Sequence, residues 1–477
     1  MTSGRPAYDA VVVGAGVNGL TAAARLVRQG RRVLVLEGAP TLGGSCASDE
    51  FGGLVRDTCA AIHPFGAASP AFAALGLADH GLTWTHAPVA VAHPLDDGGA
   101  AVLAAPLGEA LSRFGADGAR YGRTIGALVR RPDAAVDALT GPVLRSPTSL
   151  DALAVRALLG PLALAPATTA ACALFHEPAH RALWMGLAAH ATTRLDRPWS
   201  NAPATGLAVV GHLAGWPAAR GGSQAITDAL AAVVRAGGGE IHSGVTVTST
   251  RDLPPARAVL LDLTPRQVTR IAGDALPTAA RRRLERWRYG PGHCKVDYVL
   301  SGPMPWTAAV CAEAGTVHVG GSAAEIAAGE ATVVAGRPAE RPYVLVVQPD
   351  RADASRLAPN GHRPLWAYAH TPHGADHDAS GAIERQFDRF APGWRDLVVA
   401  REVRTARAAE VHNPNMVGGD LGAGSVAGRQ LLARPRLARD PYRLADTNLW
   451  MCSGATAPGP GVHGMSGWHA AGHALSA

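Results

Sequence analysis

The chain enters an apolar run early: Tyr8 to Val13 reads Tyr-Asp-Ala-Val-Val-Val and gives way at once to Gly14-Ala15-Gly16-Val17-Asn18-Gly19. A short continuous apolar run bounded by glycine predicts a buried strand, and the Ala/Leu-rich segment that follows to Gln29 predicts a helix. Gly30 supplies its C-terminal stop. Arg32 to Leu36 is a second apolar strand, ending on Glu37. Strand, glycine turn, helix and strand predict a βαβ unit.

From Leu75 to about Asn201 the pattern is helical in period and rich in Ala, Leu and Arg, with Pro94-Leu95-Asp96-Asp97-Gly98-Gly99 marking a hairpin or loop. This segment reads as an insertion on the substrate side. Its most apolar part, Leu153 to Phe175, is interrupted by Arg156, Pro161 and Pro166. It therefore lacks the run of about 20 apolar residues that a membrane span needs, and a buried or cap helix is expected. Trp216 to Ala225 opens a helix that runs to Arg235. Glu240 to Thr248 alternates as a strand, and Ala258 to Asp262 is a further apolar strand. Arg281 to Arg288 predicts a basic helix, and His293 to Leu300 a strand. Further strands are expected at Pro342 to Gln348, Leu365 to His370 and Leu449 to Cys452, with a helix at Ile383 to Phe390. The chain closes with Gly454 to Gly464, a second glycine-rich turn, and then a small-residue helix to His473.

At 477 residues the chain is long enough for two or three domains, and 47% hydrophobic against 17% charged residues excludes the composition of disordered chains. The net charge of +6 over this length gives no dense basic stripe, so nucleic acid is not an expected partner. Nearly all the positive charge is arginine, and Lys295 is the single lysine. The six cysteines are scattered without a C-x-x-C pair, which points to reduced thiols and to a cytoplasmic location without export. No metal-ligand spacing is present, and the 19 histidines are individually read as structural or surface residues.

The glycine turn carries the clearest chemistry. Gly-x-Gly-x-x-Gly between strand and helix lets the backbone approach a pyrophosphate, and the helix start at Val17 to Leu20 offers free N–H groups and positive dipole charge to it. Glu37, about 20 residues on, suits both ribose hydroxyls and would repel a 2′-phosphate. Gly43-Gly44-Ser45 adds a second glycine pair, and here the chain resembles the glutathione-reductase-type FAD proteins. The further motifs His63-Pro64-Phe65-Gly66-Ala67-Ala68-Ser69-Pro70, Gly221-Gly222-Ser223, Val417-Gly418-Gly419-Asp420 and Gly461-Val462-His463-Gly464-Met465-Ser466-Gly467 extend the likeness end to end. The sequence resembles the phytoene-desaturase-related branch of the NAD(P)/FAD-dependent oxidoreductases in the flavin amine oxidase superfamily.

That resemblance implies an α/β fold: a Rossmann-type FAD-binding domain assembled from residues 1–75, 205–275 and 405–477, with an interleaved α+β substrate or cap domain from residues 76–204 and 276–404. FAD is the implied cofactor. Its expected contacts are Gly14, Gly16, Val17, Asn18, Gly19, Glu37, Gly43, Gly44, Ser45, Val245, Gly454, Gly461, Val462 and Met465. Backbone donors at Gly461 to Gly464 would stabilise negative charge on reduced flavin. Lys295 resembles the lysine that flavin amine oxidases and histone demethylases carry near flavin N5, and it is the first catalytic candidate, with His63 and His463 beside it.

Two departures shape the expected activity. Thr456-Ala457-Pro458-Gly459-Pro460-Gly461 replaces the Thr-His-Pro-Gly-Gly-Gly that relatives often carry, and the aromatic pair that cages amines has no counterpart here. Simple amine oxidation is therefore not expected. The expected activity is removal of two electrons from a small or lipophilic substrate to form C=C or C=N, with hydride to flavin N5 and dioxygen or a quinone as electron acceptor. A redox-neutral flavin-dependent isomerase and a non-catalytic lipid carrier of the same fold are the alternatives.

Overall fold

Tyr8–Val13 forms a strand whose residues alternate between two apolar layers, Ala10 and Val12 facing one and Val11 and Val13 the other. The same double burial holds for Val33–Leu36 and Ala256–Leu261, which explains why these strands read as continuous apolar runs. A computed structural model, which describes residues 7–476, joins them into a five-stranded parallel sheet. Its order is Leu449–Met451, Ala256–Leu261, Tyr8–Val13, Val33–Leu36, Glu240–His242. Helices Val17–Arg28, Gln224–Ala236 and Met465–Ser476 contribute to the core on one side, and Pro265–Ala272 and Thr278–Glu285 to that on the other.

The second sheet has seven strands, ordered Val398–Arg404, Gly292–Leu300, Arg363–Thr371, Val344–Val347, Ala314–Val319, Val89–Pro94, Ala100–Leu103. Only the pairing of Ala314–Val319 with Val89–Pro94 is parallel. One face packs Val296, Tyr298, Val344 and Ala367 against Ile383, Phe387 and Trp394. The opposite face carries His293, Lys295 and Asp297, with His370, Tyr368 and Trp366 directly across from them. Helices Pro178–Ala189 and Ala202–Ala214 belong to the core on that side.

Several boundaries differ from the sequence expectation. The strand expected over residues 240–248 is limited to Glu240–His242, because Gly244 takes φ = +73° and turns the chain. The basic helix expected to reach Arg288 stops at Glu285, after which Trp287 packs against the 423–424 turn. Leu150–Leu164 and Ala167–Leu174 are separate helices bent by 117°, and Pro161 sits inside the first without breaking it. That first helix is a largely exposed cap: Leu150 is 86% exposed. Among the described residues no single helix is long and apolar enough to cross a membrane.

The helices Val17–Arg28 and Met465–Ser476 cross with little clearance. A Cβ on Gly467 would lie 1.8 Å from the Asn18 carbonyl oxygen, and one on Gly464 would lie 2.2 Å from Thr21 Oγ1. Gly467→Ala is therefore expected to force the helices apart and to destabilise the fold by about 1–3 kcal/mol, read as a lowered Tm.

Candidate functional site

The site is built first by three glycines that exclude side chains. A Cβ on Gly14 would meet Asp262 O at 2.9 Å, one on Gly16 would meet Asp262 Oδ2 at 2.5 Å, and one on Gly19 would meet Gly14 O at 2.1 Å. The backbone N–H groups of Val17, Asn18 and Gly19 therefore stand at the helix start with no residue intruding from the turn itself. Asn18 Oδ1 is buried with no hydrogen-bond partner.

Glu37 closes this turn from the second strand. Its Oε2 accepts from Ala15 N at 2.6 Å and its Oε1 from Ala39 N at 2.9 Å, leaving lone pairs on both oxygens for further donors. Gly43 N donates to Ala15 O at 3.0 Å, which ties the second glycine pair to the first turn. Gly44 takes φ = +58°, and Ser45 Oγ accepts from Asn413 Nδ2 at 3.3 Å. Val245 lies outside any strand but reaches the same place, because its N–H donates to Glu37 O at 2.8 Å.

One residue in this cradle carried no expectation. Asp262 follows the Ala256–Leu261 strand, and its Oδ2 accepts from Gly19 N at 2.9 Å, among the donors a pyrophosphate would use. Burial pushes its carboxyl up to about 7, and the nearby negative charge of Glu37 adds to the rise. Hydrogen bonds from Gly19 and Gly16 act in the opposite direction.

The C-terminal turn lies beside this cradle. Gly461 takes φ = +144°, and His463 Nδ1 accepts from Met465 N at 3.0 Å, so His463 caps the last helix. Burial pulls its imidazole down to about 4. The Val462 carbonyl lies 2.9 Å from where a Cβ of Gly66 would stand, and Ser69 Oγ donates to His463 O at 2.6 Å. Gly454 is held by Arg434, a buried guanidinium that donates to Gly454 O at 3.0 Å and Gly422 O at 2.7 Å. His63 is also buried and pulled down to about 4. Its Nε2 lies 2.9 Å from Ser223 Oγ. The Ser223 hydroxyl donates to Ala60 O, so Nε2 bears the ring proton and Nδ1 is left an acceptor without a partner.

Lys295 sits 2% exposed on the Gly292–Leu300 strand. Its ammonium pairs with Asp297, two residues on and therefore on the same face, and lies 5.3 Å above the Trp366 ring. Burial lowers the Lys295 pKa and raises that of Asp297, so the pair is drawn toward sharing one proton without net charge. Arg56 Nη1 stands 3.7 Å from Asp297 and 2.8 Å from Glu402, and Arg56 also grips Asp49 through two bonds of 2.7 Å. The segment 57–63 runs between the two halves of the site. Arg404, opposite Lys295 in the sheet, donates to Thr58 O at 3.2 Å, and His63 N donates to Pro217 O at 2.8 Å. Among the described residues no group of three or more His, Cys, Asp or Glu is arranged to hold a metal ion.

The NAD(P)-binding Rossmann-like domain matches residues 12–75 of the chain. A rat protein, pyridine nucleotide-disulfide oxidoreductase domain-containing protein 2, is 25% identical over 98% of this chain and 93% of its own length. Among solved structures, a putrescine oxidase variant superposes with a TM-score of 0.61 at 16% identity over 98% of this chain and 99% of that one. Cyclohexylamine oxidase from Brevibacterium oxydans superposes with a TM-score of 0.58 at 15% identity over 99% of each. The chain has a nucleotide-binding Rossmann-like domain and shares the overall fold of putrescine oxidase and cyclohexylamine oxidase.

Proposed function

We propose that this chain, built on the flavin amine oxidase fold, is an FAD-dependent oxidoreductase that removes two electrons from a small or lipophilic substrate, forming C=C or C=N. The observation that carries the reading is the turn of Gly14, Gly16 and Gly19, which brings no side chain of its own, with Glu37 beside it. A carrier of the same fold has no need of either. The strands support a division into FAD-binding segments 1–75, 205–275 and 405–477 and substrate segments 76–204 and 276–404, while the helix Ala202–Ala214 packs on the substrate side and moves that boundary past it.

Bound FAD would supply the two-electron acceptor. The N–H groups of Val17 and Asn18, and that of Gly19 once Asp262 releases it, would hold its pyrophosphate, and the free lone pairs of Glu37 would accept from its ribose hydroxyls. Asn18 Oδ1 and His63 Nδ1 are buried acceptors without protein partners, which suits them to cofactor or substrate donors. Neutral His463 holds the Gly461–Met465 turn in shape. The Lys295–Asp297 pair holds a proton in a dry setting, where it can take up or return the one that substrate oxidation displaces.

The absorption spectrum of the purified protein tests this, taken before and after acid precipitation and then during anaerobic addition of candidate substrates. Flavin bands that are bleached by one substrate class are the expected result. A colourless protein that does not take up FAD overturns the reading and favours the carrier; turnover without net acceptor reduction favours the isomerase.

A further inference from the structure

The sheet face that bears Lys295 continues into a row of polar rings that the reaction above does not use. His370 lies across from His293 on the neighbouring strand, and Tyr368 across from Lys295. Tyr368 and His370 have ring centres 5.5 Å apart, His370 and Tyr343 6.1 Å, Tyr343 and His318 5.5 Å, and His318 and His190 5.3 Å. His370 Nδ1 is 2.9 and 3.0 Å from the two oxygens of Glu330, which reaches it from the helix Ala323–Val334. His370 and Glu330 are both buried, at 4% and 1% exposure.

Four polar atoms in this row have no hydrogen-bond partner: His370 Nε2, Tyr343 Oη, and both ring nitrogens of His318. A buried polar group left unpaired is costly, and His370 Nε2 and Tyr343 Oη, on neighbouring rings, call for a shared reason. The surroundings are apolar, with Leu187, Leu345 and Val347 in the same core, and the helix Pro178–Ala189 lies directly over His318 at Gly186.

We propose that this face is the substrate-recognition wall of the oxidoreductase and that it selects a neutral, hydroxyl-bearing small molecule, with His370 and Tyr343 sharing the hydroxyl. The inference rests on the oxidoreductase reading and adds the class of its substrate. Glu330 fixes the His370 proton on Nδ1 and aims Nε2 at the cluster. With Nδ1–H given to Glu330, Nε2 accepts; a hydroxyl donates to it and keeps a lone pair for the Tyr343 O–H, whereas an ammonium donates but accepts nothing. A hydroxyl that gives its proton to Nε2 also accepts from the Tyr343 O–H. A hydrocarbon leaves His370 Nε2 and Tyr343 Oη unpaired, and an ammonium carries a larger desolvation cost into the same apolar setting.

The test is ligand-observed NMR on the FAD-loaded protein with three matched probes: cyclohexanol, methylcyclohexane and cyclohexylamine. Cyclohexanol is expected to bind at least tenfold tighter than the other two. His370→Phe and Tyr343→Phe should each erase most of that preference while leaving methylcyclohexane binding unchanged, and Glu330→Gln, whose amide oxygen still accepts from Nδ1, should retain it. Equal binding of cyclohexanol and methylcyclohexane overturns the proposal. So does a preference for cyclohexylamine that Glu330→Gln abolishes. If His370→Phe fails to fold, the wild-type preference and Tyr343→Phe decide. The flavin spectrum of each sample separates this failure from failure of the oxidoreductase reading, since loss of flavin speaks only to the latter.

Discussion

Asp262→Asn is expected to bind FAD with an affinity that stays level from pH 6 to pH 9, while wild-type affinity falls by up to tenfold per pH unit above about 7. The carboxylate of Asp262 shares Gly19 N with the expected pyrophosphate position. Below about 7 the group is protonated and neutral, and the cradle presents only N–H donors and a hydroxyl to the phosphates. Above about 7 it is an anion competing for the same donors. Glu37, which follows the strand two places away in the sheet, and Cys452, whose N–H donates to Leu261 O, are the titratable neighbours of Asp262, and the first turn of the Val17–Arg28 helix contains no acid to share the effect. The sign in the cofactor-free protein follows from the same shift. A carboxyl that titrates near 7 when folded and near 4 when unfolded lowers stability as pH rises from about 4 through about 7, and the asparagine variant lacks that slope. Quenching of FAD fluorescence across a pH series measures the first effect, and Tm of the apoprotein the second. A wild-type affinity independent of pH refutes both the position of the phosphate and the role of the acid.

Lys295→Met is expected to keep its flavin and to slow reduction of that flavin by substrate about 10²- to 10⁴-fold, the range general acid–base groups supply. Methionine keeps the length and apolar stem but cannot hold a proton. Asp297 then keeps Arg56 at 3.7 Å, with the charge of Arg404 also acting on it, which limits the structural damage. Anaerobic stopped-flow on the FAD-loaded variant gives the rate. Asp297→Asn supplies the complementary readout. The Asp297 charge holds the Lys295 pKa up against burial, so removing it should move the Lys295 limb of the pH–rate profile to lower pH. Unchanged reduction in Lys295→Met removes Lys295 from the chemistry.

How much of the site was legible depended on the distance its parts span in the chain. The Gly14–Gly19 turn, the strand before it and Glu37 lie within 30 residues, so period and spacing alone place them. The parts contributed from elsewhere were not legible. Asp262 comes 243 residues after Gly19, and the sheet order that brings their strands together is a tertiary fact. Asp297 left a weaker signal, since an acid two residues from a strand lysine shares its face. Glu330 and His370 are 40 residues apart on a helix and a strand, and no local pattern joins them. Val245 was expected as a strand residue; Gly244 broke the strand, yet a backbone hydrogen bond to Glu37 kept the residue beside the cradle.

The glycine-paved crossing of the Val17–Arg28 and Met465–Ser476 helices bears on how the protein is made. Leu20, Ala23 and Ala24 share a core with Ala470 and Ala471, so during synthesis part of the first helix waits without its partner until the last described residues leave the ribosome. The nucleotide cradle starts at that helix, yet its buttress at residues 465–476 is made much later. A chain stalled before residue 465 would leave the alanine-lined side of the first helix uncovered, so the cradle that starts there is expected to gain its final support only once residues 465–476 have been made.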